Sequence, residues 1–299
     1  MNIYPLKWTA NTWILGINEF PSFLVTGQSN AVLIEAGVSS LAPKILQDLN
    51  TSCPAARLTH LFAAHAHADH VCGLIRLKNT HPHLHLCGSR DTGRILEKSD
   101  IMKNFVKEDH RYTQYLSTLG VPVETDIRLA ANPVSLDEFF ENQGMYNLGG
   151  VSIETVAVPG HAPGGTGFLI KPDNVLLISD SAGYANTADD ILPLFFHNFR
   201  RSIETLEKLQ SFQAAHLGLG HNVYIDGHRN TTQFFDRAIS CMHRLKADIL
   251  EKMQRSSSRR VESDLADAMH RYGLFRSFSH EKLIRLAQLL IRRAAEKNA

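Results

Sequence analysis

Four side chains with metal-binding chemistry fall within six positions of this chain: His65, His67, Asp69 and His70, in the order H-x-H-x-D-H. Buried as ordinary core, three imidazoles and a carboxylate this close together would be desolvated with little return. As ligands to a divalent metal they form a coherent set, since neutral imidazole and carboxylate are standard donors. The spacing offers two ligand faces, which points to two metals rather than one. The apolar run Leu58 to Ala64 leads straight into the motif and reads as a buried strand. It delivers its C-terminal end to the site, where open α/β sheets usually place their chemistry.

Composition narrows the remaining classes. The chain has 299 residues, and the balance of 31 Lys+Arg against 30 Asp+Glu gives no general pull toward nucleic acid or anionic membrane. Histidine stands out at 16 residues, more than packing alone calls for. Cys53, Cys72, Cys87 and Cys241 are widely spaced without a C-x-x-C, so no disulfide framework is expected. Met1 to Trp8 lacks a basic stretch followed by an apolar one, and no run of 18 apolar residues occurs. The expectation is a soluble, cytoplasmic protein with no membrane span and no nucleic-acid partner.

Short strands and helices alternate along the first third, and further strands follow it. Thr12 to Leu15, Phe23 to Thr26 and Ala31 to Glu35 read as strands, with turns at Gly16–Pro21 and Gly27–Asn30. Val38 to Leu49 has helical spacing with a serine start at Ser39 or Ser40. His70 to Asn79 reads as helix, Leu84 to Cys87 as strand, and Ser89 to Leu119 as mostly helical. Residues 120–150 are rich in proline and glycine and read as loop. Val151 to Val158, Gly167 to Ile170 and Val175 to Ile178 read as strands, and Phe199 to Leu209 as helix. Beyond Gly227 no strand signal remains: Asn230 to Gln254, Asp264 to Arg271 and His280 to Ala295 are helical, with Ser256–Ser258 a linker. The expected division is a catalytic domain over 1–227, with a helical insertion around 89–150, and a helical extension over 228–299 that covers the site.

Three more residues share the setting of the hexapeptide. His161 follows Pro159-Gly160, Asp180 ends an apolar strand, and His221 follows Gly220. Tight turns of this kind aim a side chain at a point. The order H-x-H-x-D-H, His, Asp, His resembles the metallo-β-lactamase superfamily over about residues 10–225. That resemblance implies an α/β fold, the αβ/βα sandwich, here with a helical C-terminal extension. It implies that His65, His67 and His161 bind one metal, that Asp69, His70 and His221 bind a second, and that Asp180 bridges them. The cofactors would be two divalent ions, zinc or iron, with manganese also suited to these donors. Two such ions about 3.5–4 Å apart can hold a bridging hydroxide that attacks a carbonyl or phosphorus centre. Asp69 would then handle the proton, and no serine or cysteine nucleophile is needed.

Within that family an aspartate at position 180, rather than cysteine or serine, argues against a true β-lactamase and favours thioesterases, lactonases and phosphodiesterases. His67, where oxygen-reducing diiron relatives carry glutamate, argues against that branch. The stretch after Asp180 lacks the glycine-cysteine-glycine-basic pattern of glyoxalase II. The insertion and terminal helices are similar to a thioesterase branch of alkylquinolone synthesis in pseudomonads, which hydrolyses 2-aminobenzoylacetyl-CoA in quorum-sensing signal production. The expected substrate is therefore a small thioester or ester. A lactone or phosphodiester signal, or a regulatory partner-binding role with a secondary hydrolase site, stand as alternatives. A homodimer is compatible with the chain.

Several other residues carry two readings. Tyr184 lies four positions beyond Asp180 and is a second catalytic candidate that would hydrogen-bond a substrate carbonyl; the alternative is a core hydroxyl with a backbone partner. Phe195 and Phe196 read equally as an acyl pocket or as core. His81, His83 and His85 alternate and would share a strand face, as a solvated edge or a further metal site. His60 and His216 read as packing residues or as supports for metal ligands. His110 and His197 read as surface, packing or pocket residues. Arg259-Arg260 and Arg292-Arg293 read as solvated helix charge rather than a phosphate clamp.

Overall fold

The computed structural model describes residues 4–126, 129–140 and 144–296. Residues 1–3 of the N-terminal reading, and 127–128 and 141–143 of the loop-rich stretch, lie outside the described residues. The chain forms two compact units, Met1–Ala157 with Gly164–Leu177, and Val158–Pro163 with Ile178–Ala299.

The first unit is built on a seven-stranded sheet. Its strands are β1 (Leu6–Lys7), β2 (Thr12–Ile17), β3 (Phe20–Thr26), β4 (Ala31–Ile34), β5 (Leu58–Phe62), β6 (His85–Gly88) and β7 (Glu138–Phe139), in that spatial order. β1 to β4 pair antiparallel; β4 to β7 pair parallel. Parallel neighbours need crossovers, and these are helical. α1 (Ala42–Ser52) joins β4 to β5, α2 (Ala68–Thr80) joins β5 to β6, and α3 (Arg90–Leu96) with α4 (Ser99–Thr118) precedes β7. A second, antiparallel set follows: β8 (Met145–Asn147), β9 (Ser152–Ala157), β10 (Thr166–Lys171) and β11 (Val175–Ser179). Phe62 of β5 meets the rings of Phe140, Tyr146 and Phe168 at centroid distances of 5.0, 4.7 and 5.7 Å. Each such pair adds about 0.5–1.5 kcal/mol beyond area burial, and together they anchor the strand that leads into the hexapeptide.

The sequence-based elements differ from the structure in instructive places. The turn expected over Gly16–Pro21 shrinks to Asn18–Glu19, because Gly16 pairs with Pro21 and Ile17 with Phe20 inside the ladder. The Gly16 N–H donates instead to Asp48 (3.0 Å), so a proline opposite it forfeits nothing. The helix expected over 89–119 breaks between Leu96 and Ser99, and the 120–150 stretch contains β7 and β8. The serines expected to start a helix form a 3₁₀ turn, Ser39–Leu41, whose Ser39 N–H and hydroxyl both donate to buried Asp109. Only His85 of the alternating trio lies in a strand; His81 follows α2 and His83 sits in the turn after it.

The second unit contains the hairpins β12 (Tyr184–Thr187) with β13 (Asp190–Leu192), and β14 (His216–Leu219) with β15 (Tyr224–Asp226). Its helices are α5 (Phe199–Ser211), α6 (His228–Arg255), α7 (Ser258–His270) and α8 (His280–Ala295), with a 3₁₀ turn over Gly273–Ser277. Asn198 caps α5 and Ser279 caps α8, each accepting from a backbone N–H three residues on. The linker expected over Ser256–Ser258 shortens to Ser256–Ser257, with α6 ending at Arg255 and α7 starting at Ser258 rather than at Asp264. Position 227 lies inside this unit, so the terminal helices belong to the same compact body as residues 178–227. β12 and β13 went unread in the sequence because Ala-Asn-Thr-Ala-Asp-Asp lacks β-branched alternation. Among the described residues, no helix is long and apolar enough to cross a membrane.

One packing contact bears on the site. A Cβ on Gly73 would lie 2.1 Å from the carbonyl oxygen of Ala36, so α2 rests directly on the backbone after β4. Overpacking of this kind costs roughly 1–3 kcal/mol. Gly73→Ala is expected to lower stability by that order, read as a lower denaturant midpoint with an unchanged slope; an unchanged midpoint would show that the two segments separate freely.

Candidate metal centre

In the first unit the hexapeptide straddles the start of α2. The strand pairing of β5 ends at Phe62, and Ala63 extends it by donating to Cys87 (2.9 Å). His67 is the N-cap residue, and its carbonyl accepts from the N–H groups of His70 and Val71, both at 3.1 Å. His65 and His67 therefore precede the helix, while Asp69 and His70 occupy its first turn. An acidic side chain there is also favoured by the helix dipole. The ring nitrogens His65 Nε2 and His67 Nδ1 face each other at 2.9 Å, and the His65 and His70 ring centroids are 4.3 Å apart. His70 Nε2 lies 3.7 Å from Asp69 Oδ2. His65, Asp69 and His70 are buried.

Glu35, which no sequence signal singled out, completes this set. Its carboxylate accepts from His70 Nδ1 at 2.7 Å, and both side chains are buried. That bond leaves Nε2 as the nitrogen of His70 that could take a metal and fixes the ring plane, the usual support for a metal-binding histidine. Expected to end a strand, Glu35 instead takes a left-handed backbone (φ 58°) just after β4. A non-glycine residue held there indicates a locally over-determined conformation. An acid at the end of an all-apolar strand was the available clue. Glu35, His65 and His70 form one of the groups able to hold a metal among the described residues.

The second unit presents His161, Asp180 and His221, all buried. Asp180 directs its two oxygens to different histidines: Oδ1 lies 3.5 Å from His221 Nε2 and Oδ2 lies 3.6 Å from His161 Nε2. Both distances exceed a good hydrogen bond and suit donors sharing an ion. His161 Nδ1 donates to the Leu194 carbonyl at 2.9 Å, which again leaves Nε2 as the nitrogen that could take a metal. Gly160 makes the turn possible. It sits at φ 134°, and a Cβ there would lie 2.6 Å from Ser202 Cα in α5. Its carbonyl accepts from the N–H groups of His197 and Asn198, both at 3.0 Å. Ser179 (φ 48°) and Asn222 (φ 53°), flanking Asp180 and His221, also take left-handed backbone.

The remaining candidates separate cleanly. The Tyr184 hydroxyl accepts from Asn222 Nδ2 (2.9 Å) and from the backbone N–H of Leu274 (3.3 Å), and its ring packs on His221 at 4.9 Å. The 3₁₀ turn over Gly273–Ser277 thus braces His221 through Tyr184. Phe195 is fully buried against Phe199, whereas Phe196 is half-buried with its ring 5.6 Å from that of His161. Arg293 of α8 donates to the Phe196 carbonyl (3.1 Å) and pairs with Glu296, so it ties a helix to a loop. His216 pairs with Asp226 across the β14–β15 hairpin, and His110 lies exposed on α4. Burial pushes the Cys72 and Cys87 thiols up, which keeps both protonated and unreactive. All four cysteines are free.

Comparisons with known proteins agree with this donor chemistry. The metallo-beta-lactamase superfamily model matches residues 21–221, a span that includes every residue of both ligand sets. A curated relative, the probable metallo-hydrolase YqgX of Bacillus subtilis (strain 168), is 29% identical over 101 residues, 34% of this chain and 46% of its own length. The chain thus spans about half the length of that relative. Among solved structures, a metallo-beta-lactamase from Cronobacter sakazakii (a mutant in its HARLDQ motif) aligns at TM-score 0.57 and 17% identity, covering 83% of this chain and 98% of that one. An archaeal superfamily protein from Sulfolobus tokodaii aligns at TM-score 0.54 and 19% identity, covering 78% and 86%. A beta-lactamase from Chitinophaga pinensis aligns at TM-score 0.58 and 18% identity, covering 82% and 92%. At these identities the likeness is one of fold. With the family model spanning two thirds of its length, the chain belongs to the metallo-beta-lactamase superfamily.

Proposed function

We propose that the chain is a dinuclear metal-dependent hydrolase acting on a thioester, of acyl-CoA type. The observation that carries the reading is Asp180, whose two carboxylate oxygens each face a different imidazole nitrogen, as a ligand shared by two ions requires. The first unit offers His65, His67, Asp69 and His70 as donors, and the second offers His161, Asp180 and His221. Five imidazoles and two carboxylates suit zinc or iron. Bound there, such a pair supplies Lewis acidity toward a substrate oxygen and a water nucleophile at neutral pH.

The chain's own residues supply the rest. Glu35 and the Leu194 carbonyl hold His70 and His161 in the tautomer that offers Nε2. Tyr184 orients His221. Asp69 takes up and returns the proton at its carboxylate. The half-buried Phe196 beside His161 offers an apolar contact for an acyl group, and Arg293 holds the loop that presents it. That contact favours an aromatic acyl thioester, such as the aminobenzoylacetyl class of alkylquinolone synthesis, over a phosphodiester, whose charge would find no partner in a phenyl ring. Turnover of the metal-loaded protein on an aroyl-CoA, an acyl-homoserine lactone and a bis-aryl phosphate separates the possibilities. The thioester is expected to have the highest kcat/KM, by about tenfold or more, the order of one well-placed apolar contact. A preference for the phosphodiester would overturn the substrate assignment, and no turnover of any of the three would favour a regulatory, partner-binding role.

A further inference from the structure

The first unit carries a second set of metal donors that the hydrolytic centre does not use. β5, β6 and β7 are parallel neighbours, and their registers pair His60 with His85 and Cys87 with Glu138. His85 and Cys87 are two positions apart on β6, so His60, His85 and Glu138 share one face of the sheet. Their donor atoms lie within 4.8 Å of one another. Glu138 Oε1 is 2.7 Å from His85 Nδ1 and 3.7 Å from His60 Nε2. A tetrahedral ion with bonds of about 2.0–2.1 Å sets its ligand atoms about 3.3 Å apart, and the two observed separations bracket that figure.

We propose that His60, His85 and Glu138 form a separate mononuclear site for a zinc-class divalent ion, with its remaining position open to solvent. Two imidazoles and one carboxylate are a complete set for such a site. The orientation of His60 is already fixed: Thr59 Oγ1 hydrogen-bonds its Nδ1 at 2.8 Å, leaving Nε2 toward Glu138. The residue before Glu138 is pinned as well. Asp137 accepts from the Leu86 N–H (2.7 Å) and pairs with Lys78. A half-exposed His–Glu ion pair would by itself add at most about 1 kcal/mol, whereas an ion would clamp three strands, including the two-residue β7.

The test is zinc stoichiometry by equilibrium dialysis of the full-length protein, with His85→Gln and Glu138→Gln compared with the wild type. The expected result is one fewer equivalent bound per chain in each variant, at equal turnover when saturated with metal. His60→Asn is expected to lose the same equivalent, which guards against one variant failing to fold. Equal zinc stoichiometry in the wild type and the folded variants would overturn the site and leave a plain ion pair. The readout is a difference between proteins, so it stands whether or not the hydrolytic reading does.

Discussion

Asp180→Asn is expected to abolish turnover and to release bound metal. The amide keeps the size of the side chain, yet it removes the charge and one of the two equivalent oxygens through which His161 and His221 are now addressed. Metal-assisted activation contributes several kcal/mol to such reactions, and each 1.36 kcal/mol is a factor of ten in rate. A fall in kcat/KM of about 10³-fold or more follows. Metal analysis of the purified variant should show less than the wild-type content, while circular dichroism should be unchanged. Wild-type metal content in this variant would show that Asp180 is not a shared ligand.

Glu35 makes the second large prediction, and its two variants should differ. Glu35→Gln keeps an oxygen able to accept from His70 Nδ1 but loses the charge that strengthens the nitrogen on the far side of the ring. Partners of this kind are typically worth 10–100-fold in metal affinity or activity, and a loss of that order is expected, recovered in part by excess metal. Glu35→Ala leaves the buried His70 Nδ1–H without its present acceptor (2.7 Å), at a cost of about 1–3 kcal/mol. It should therefore lower thermal stability as well as metal affinity. Wild-type metal affinity in Glu35→Gln would remove Glu35 from the site.

What the sequence disclosed depended on how local the signal was. The hexapeptide could be read because four residues of metal-binding type fall within six positions where a strand hands over to a helix, and the apolar run Leu58 to Ala64 announced that strand. His161 and His221 were legible through their glycines, which permit turns only a few backbones allow. His280 to Ala295 was read to its ends, because Ser279 is a strong cap and the apolar spacing is unbroken. Glu35 was missed because its role depends on a hydrogen bond to a residue 35 positions away. The Leu194 carbonyl was invisible for a stronger reason: a backbone acceptor has no residue type. Tyr184 was noticed by its nearness to Asp180, but its contacts with Asn222 and Leu274 come from 38 and 90 positions away. The β12–β13 hairpin and the short β7 lacked patterning of their own and are held by their neighbours.

The most direct test follows turnover against metal occupancy. Metal is stripped from the purified protein with a chelator, then zinc or iron(II) is returned in measured equivalents while hydrolysis of an aroyl-CoA thioester is recorded. The account predicts no turnover in the stripped protein, a rise that is complete once the two hydrolytic ions are bound, and no further change as the His60–His85–Glu138 site fills; the Glu138→Gln variant is expected to reach its plateau at two equivalents. Full thioester turnover by the metal-free protein would contradict it.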